Sequence, residues 1–218
     1  MSESQLERLR KLDSCAISDA MDRLKLVGAV SGLLPRSVRQ RIAGRIRTVK
    51  LEAAEGRTAA HHLCTTAIDA SDAGDVIVVE QRSGIEAAGW GGILSIGAKT
   101  KGVAGVIVEG PARDIDEATD FGFPVYARSI TARTARGRII EVSTGAPITV
   151  GEVTVNDGDY VVADSSCAVF IPAAQLDQVL ADAERIASRE AAMAKAAQAG
   201  QKMAEVMGAD YEKMLGPK

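Results

Sequence analysis

Two strand-length apolar runs constrain this 218-residue chain more than anything else in it: Val76-Ile77-Val78-Val79 and Val103-Ala104-Gly105-Val106-Ile107-Val108. A turn glycine precedes each, Gly74 and Gly102, and neither run alternates with polar residues. A strand that is apolar on both faces has to be covered on both faces, which is the habit of parallel sheets. The stretch between them holds a helix, expected over 90–101, and parallel strands joined through a helix cross over right-handed. A second helix, 114–121, is stopped by Gly122, and a third strand follows at 124–127. The expected fold class is α/β.

The flanks fill in the organisation. Residues 4–25 read as two short helices: Leu6, Leu9 and Leu12 form a helical stripe, and Ser14 or Ser18 caps a second helix over 16–24. Residues 28–35 read as loop, 42–51 as a strand with alternating faces, and 58–70 as a helix. After 127 the pattern changes to short strands at 139–142, 148–155, 160–163 and 168–171, an antiparallel or mixed layer. From 173 to about 205 an alanine-rich run reads as one long helix. The chain thus divides into an α/β domain over 1–172 and a helical extension over 173–218 that packs on a neighbouring subunit.

Composition narrows the function. Aromatic residues make up only 3% of a chain that is 46% apolar, so the core rests on Val, Ile, Leu and Ala, and platforms for stacking single-stranded bases are scarce. A net charge of -3 argues against nucleic-acid binding. Arg133, Arg136 and Arg138 read as a solvated loop or an oligomer contact. Cys15, Cys64 and Cys167 form no Cys-x-x-Cys pair, which disfavours a zinc knuckle or a disulfide framework and suits reduced thiols in the cytoplasm. No apolar run has the length of a signal-peptide core at the N-terminus or of a membrane span, so no membrane partner is expected.

The chemistry concentrates in Gly89-Trp90-Gly91-Gly92-Ile93-Leu94-Ser95 and in Gly110-Pro111-Ala112-Arg113-Asp114. Glycines just before a helix let backbone N–H groups approach an anion, although the same glycines could serve packing alone. Arg113 lies at the carboxyl end of the second apolar run, where ligands gather in open α/β sheets, and a guanidinium pairs bidentately with a carboxylate. Asp114 is a hard oxygen ligand suited to Mg²⁺ or Mn²⁺; the plainer reading is that it caps the helix behind it. No Gly-x-Gly-x-x-Gly follows the strand at 75–80 and no P-loop occurs, which disfavours nucleotide cofactors. His61-His62 sit in the expected helix at 58–70, with His62 a candidate on the substrate side. Lys50, Lys99 and Lys101 are weak candidates for a Schiff base, which needs a desolvated amine.

Taken with Gly122-Phe123-Pro124-Val125-Tyr126-Ala127-Arg128, Gly158–Asp164 and Val169–Pro172, these motifs resemble the RraA-like superfamily over roughly residues 15–195. That group includes metal-dependent 4-hydroxy-4-methyl-2-oxoglutarate / 4-carboxy-4-hydroxy-2-oxoadipate aldolases. The resemblance implies a swivelling β/β/α sandwich that assembles as trimers or hexamers with sites at subunit interfaces. It implies a lyase that uses Mg²⁺ or Mn²⁺ to release pyruvate from a 4-hydroxy-2-oxo acid, with oxaloacetate decarboxylation as a companion reaction. Arg113 would bind the pyruvyl carboxylate with backbone N–H groups around Gly91, Gly92, Ile93 and Leu94. Asp114 would hold the cation, and Glu190 of a neighbouring subunit, or Glu184, would add a carboxylate. The alternatives are a non-catalytic regulator of ribonuclease activity, whose relatives usually lack the acid held here by Asp114, and a lyase or hydratase for another sugar acid. The chain departs from the aldolase pattern at Gly92, where an acid is often found.

Overall fold

The computed structural model describes residues 4–208. Two helices open the chain, α1 (Gln5–Lys11) and α2 (Ser14–Arg23), and short strands β1 (Ala29–Val30) and β2 (Leu34–Pro35) occupy the stretch expected to be loop. Then come β3 (Ile42–Ala53), α3 (Thr65–Ala70), β4 (Val76–Gln81), α4 (Gly92–Thr100), β5 (Gly105–Ala112), α5 (Ile115–Asp120) and β6 (Val125–Ile130). Strands β7 (Ile139–Thr144), β8 (Ile148–Val150), β9 (Val153–Val155), β10 (Tyr160–Ala163) and β11 (Ala168–Ile171) complete the β layer. A 3-10 turn (Ala173–Gln175) leads into the long α6 (Leu176–Gln198) and the short α7 (Met203–Val206).

The main sheet runs β1-β11-β10-β3-β4-β5-β6-β2, with β7 added on β3, and it curls on itself. Strands β3 to β6 pair in parallel, as the two apolar runs demanded. β3 serves three partners along its length. Ile42 to Arg45 pair antiparallel with β10, Ile46 to Leu51 pair parallel with β4, and Val49 to Ala53 pair antiparallel with β7.

The unbroken apolar character of residues 76–79 in β4 has a simple cause. Ile77 and Val79 face Trp90, Leu94 and Phe123 beneath the helices, whereas Val76 and Val78 face Ile107, Tyr126 and the β8–β9 hairpin. Both faces are core over these four residues, so period-two side-chain alternation leaves them no polar position; Glu80 and Gln81 follow at the strand's end. A third core packs Ile17 and Met21 of α2 and Leu180 and Ile186 of α6 on Val162, Val169 and Ile171. The first half of α6 therefore shares the core of its own chain. Among the described residues, no helix is long and apolar enough to cross a membrane.

Three local expectations are corrected. Helix α2 is capped by neither Ser14 nor Ser18: Asp13 accepts from the Ala16 N–H at 2.8 Å. The expected helix at 58–70 forms only from Thr65, because Cys64 is left-handed (φ 66°) and its N–H donates to the Glu141 carboxylate at 2.5 Å. The long C-terminal helix stops at Gln198, with Gly200 at φ 85°, a conformation that ends helices readily. Part of the segment 173–218 lies outside the described residues.

Freed from capping, Ser14 is fully buried and gives both its N–H (2.8 Å) and its hydroxyl (2.7 Å) to Asp164, tying α2 to the β10–β11 turn. Burial raises Asp164, but the donors Ser14, Ser166 and Cys167 outweigh it and hold the carboxyl below its ordinary 3.8. A carboxyl lowered on folding stabilises the fold above its unfolded pKa, and that contribution is lost as the pH falls. Asp164→Ala leaves Ser14 buried without its acceptor and should cost about 2 kcal/mol at pH 7 in urea unfolding. The gap between variant and wild type should narrow once the pH drops below 3.8.

Candidate functional site

The glycine turn and the end of β5 are laced together by backbone bonds. Gly89 N–H donates to Pro111 O at 2.8 Å, and Arg113 N–H donates to Trp90 O at 3.0 Å. These two bonds bring Gly91 and Gly92 alongside Arg113 and Asp114. Trp90 fixes the turn from below: its ring stacks on Phe123 with centroids 6.2 Å apart, and its Nε1–H donates to Ser95 Oγ at 2.9 Å.

Asp114 sits just before α5, but it does not cap that helix. Its backbone is left-handed (φ 56°, ψ 42°), and its side chain makes no capping bond to α5. The carboxylate instead crosses to the start of α4, where Oδ2 accepts from the Gly92 N–H at 2.9 Å and lies 3.2 Å from Arg113 Nε. A non-glycine residue in this region carries a strain of roughly 1–3 kcal/mol, of the kind that clusters where a side chain has to be aimed. The plainer reading of Asp114 as a helix cap is therefore set aside.

The glycines let two carboxylates approach closely. A Cβ on Gly91 would lie 2.8 Å from Asp114 Oδ2, and a Cβ on Gly92 would lie 1.9 Å from Glu117 Oε2. Glu117 is thus the residue that sequence reading missed. Its carboxylate fills the space beside Gly92 where a side chain at that position would begin. The signal was present: Glu117 follows Asp114 by three residues, and in the helix expected over 114–121 that spacing puts two side chains on one face. It was masked because an acid in a first helical turn also reads as a complement to the helix dipole.

The expected anion seat is narrower than the sequence implied. The Gly92 N–H already serves Asp114. The first backbone bond of α4 is Ser95 N–H to Gly91 O, at 3.1 Å, so the Ile93 and Leu94 N–H groups precede it at the helix's open end. A cavity of about 120 Å³ is lined by these residues with Arg113, Asp114, His62 and Arg136. It adjoins a second hollow of about 250 Å³ bounded by Arg57, His61, Ile139 and Glu141, and the two share His62, Leu63, Ala135 and Arg136.

The remaining candidates separate. Glu190 lines a different hollow, with Met193, Ala197 and Met207; burial first, then Asp19 and Asp13, push its carboxyl above the ordinary value. Glu184 is held by Arg8 at 2.7 Å. Lys99 bonds the Phe121 carbonyl and Lys101 the Asp69 carbonyl, both near the surface. Burial pushes the Cys64 thiol well up, which leaves it no thiolate character. Arg133 pairs with Glu86 and Arg138 with the Thr134 carbonyl, while Arg136 faces the cavities.

The donor set bears on the metal. Among the described residues, no three His, Cys, Asp or Glu side chains converge on one point. Asp114 and Glu117 offer two carboxylates, too few for a closed cage of protein ligands but suited to Mg²⁺, which keeps several waters and takes one or two carboxylates.

Comparisons with known proteins agree with this architecture. The family model for RraA-like proteins, described as Aldolase/RraA, matches residues 14–170. A Halalkalibacterium halodurans protein named "Putative 4-hydroxy-4-methyl-2-oxoglutarate aldolase" is 28% identical over 188 residues, covering 85% of this chain and 86% of its own. Protein DlpA of Legionella pneumophila is 27% identical over 80% of this chain, but the chain spans only 28% of DlpA. An uncharacterised Pseudomonas syringae protein of known structure superposes with a TM-score of 0.85 at 25% identity, covering 95% of this chain and 98% of the other. Streptomyces coelicolor RraAS2, described as an unusual member of the RNase ES inhibitor RraA protein family, shares the fold with a TM-score of 0.79 at 22% identity, covering 87% of this chain and 96% of the other. With its parallel core, its laced glycine turn and a family match over most of its length, the chain belongs to the RraA-like (Aldolase/RraA) family.

Proposed function

We propose that this protein is a divalent-metal-dependent carbon–carbon lyase that releases pyruvate from 4-hydroxy-2-oxo acids of the 4-hydroxy-4-methyl-2-oxoglutarate type, with oxaloacetate decarboxylation at the same site. The observation that carries the reading is the left-handed Asp114, whose carboxylate is aimed at the α4 turn instead of its own helix. The names of the aldolase relatives support it.

Mg²⁺ or Mn²⁺ held by Asp114, with Glu117 beside it, would act as a Lewis acid on the 2-oxo group. The chain's own residues supply the rest. Arg113 and the Ile93 and Leu94 N–H groups bind the pyruvyl carboxylate and fix its orientation. Arg113 also stabilises the negative charge that develops on the pyruvate enolate. Leu63, Ala88 and Trp90 line the same cavity and keep water from its apolar wall. Glu117 supplies from α5 the carboxylate that Gly92 lacks.

The working form in this reading is a homotrimer, or a hexamer built from trimers. Ile93 is 80% exposed and Ile130 60% exposed, with Ile96 and Phe121 also open on α4 and just after α5, an apolar rim around the site that suits a subunit contact. Glu190 of a neighbouring subunit then adds its carboxylate at that rim.

Three outcomes are expected. Pyruvate release from 4-hydroxy-4-methyl-2-oxoglutarate, followed by a coupled assay, should stop with a chelator and return with added Mg²⁺ or Mn²⁺; release that ignores chelation, or none from any 2-oxo acid, would sink the proposal. Asp114→Asn should lower kcat/KM by at least about 100-fold while the oligomer keeps its size in gel filtration. Glu117→Gln should raise the Mg²⁺ concentration needed for half-maximal rate by about 10–100-fold, and an unchanged metal requirement would remove Glu117 from the site.

A further inference from the structure

Retro-aldol cleavage needs a group that takes the proton of the 4-hydroxyl, and the residues lining the cavity leave few choices. Glycines, apolar side chains, Thr134, Arg113 and Arg136 make up most of the wall. Of the lining side chains only Asp114 and His62 offer a proton acceptor of the kind general-base catalysis uses. Asp114 already accepts from Gly92 and lies against Arg113.

His62 is differently placed. It lines both the cavity around Asp114 and the adjoining hollow, so it stands where the carbons beyond the cleaved bond would pass from one to the other. Its Nδ1 lies 3.1 Å from the Leu63 carbonyl oxygen. A carbonyl oxygen only accepts, so Nδ1 carries the hydrogen and the neutral ring keeps its lone pair on Nε2. Among the described residues Nε2 has no hydrogen-bond partner. The neighbouring His61 offers a contrast: its Nε2 is engaged by Glu141 at 3.3 Å and sits 3.4 Å from Thr66 Oγ1. Glu141 in turn receives the Cys64 N–H and the Thr144 hydroxyl, which holds this loop in place.

We infer that His62 is the general base of the cleavage, taking the 4-hydroxyl proton of a 4-hydroxy-2-oxo acid on Nε2. The inference rests on the lyase reading and adds a residue to it. As Nε2 takes the proton, the O–H electron pair becomes the new carbonyl of the departing fragment and the C3–C4 bond breaks. The C3–C4 pair passes into the pyruvate enolate. The imidazolium then returns its proton to C3, giving pyruvate and restoring the neutral ring, with no oxidant or reductant consumed. Oxaloacetate makes no such demand. Its leaving group is carbon dioxide from a carboxylate that is already ionised, and water can protonate the enolate.

The two reactions at one site therefore separate a base from a structural residue. In the full-length, Mg²⁺-loaded protein, His62→Asn keeps a side-chain N–H for the Leu63 carbonyl but cannot take a proton. It should lower kcat for 4-hydroxy-4-methyl-2-oxoglutarate by about 100-fold or more, the usual weight of general acid–base catalysis. Oxaloacetate decarboxylation, which also reports that the site is intact, should stay within about threefold of wild type. Equal losses in both reactions, or no loss in either, would overturn the role of His62. ¹⁵N NMR of ring-labelled, metal-free wild-type protein gives a readout apart from turnover: His62 should show a protonated Nδ1 and a bare Nε2, and the reverse tautomer would overturn the inference. A wild type that releases pyruvate from neither substrate removes the lyase reading itself, an outcome distinct from an active wild type beside an unimpaired His62→Asn.

Discussion

The bond from the Gly92 N–H to the Asp114 carboxylate is the contact around which the site is organised. It joins the start of α4 to the residue before α5, two helices that follow neighbouring strands of the parallel sheet. Making it requires Asp114 to enter the left-handed region, at a strain of roughly 1–3 kcal/mol. A hydrogen bond to a charged group returns about 1.5–3 kcal/mol, so the arrangement is close to balanced locally. Its persistence depends on the two backbone bonds that lace Gly89 to Pro111 and Arg113 to Trp90. Gly91 and Gly92 leave room for it, since a side chain at either would displace the carboxylate of Asp114 or Glu117.

How much of this was legible in the amino-acid sequence varied with the kind of signal. The parallel strands were, because burial on both faces writes an unbroken apolar run into four or more adjacent positions. Arg113 and Asp114 were placed correctly at the end of a strand, but the sequence left Asp114 open between cap and ligand. Its dihedral angles and its bond to Gly92 set aside the cap of α5. Gly92 read as a missing acid, whereas in three dimensions the Glu117 carboxylate of α5 lies in the space beside it. That exchange of position between two elements leaves no local trace, since each residue has an ordinary local explanation.

The loop around 58–64 shows the opposite failure. Its composition suits a helix, but a tertiary contact, the Glu141 carboxylate on the Cys64 N–H, overrides local preference and keeps the helix from starting before Thr65. That override opens the segment carrying His61 and His62 over the cavities. A regular helix through these residues would have pointed the two imidazoles about 100° apart around its axis. In the observed loop, one ring is tied to Glu141 and the other stands at the junction of the two hollows.

Trp90 is the single tryptophan of the chain. Its indole is 1% exposed, stacks on Phe123 and donates to Ser95 in the first turn of α4. It is therefore bolted to the turn that would receive a carboxylate, and it is the chain's one indole beside three tyrosines. Excited at the red edge, where tyrosine hardly absorbs, the fluorescence of this protein is a local optical gauge of that turn: the indole spectrum reads the environment of the helix start.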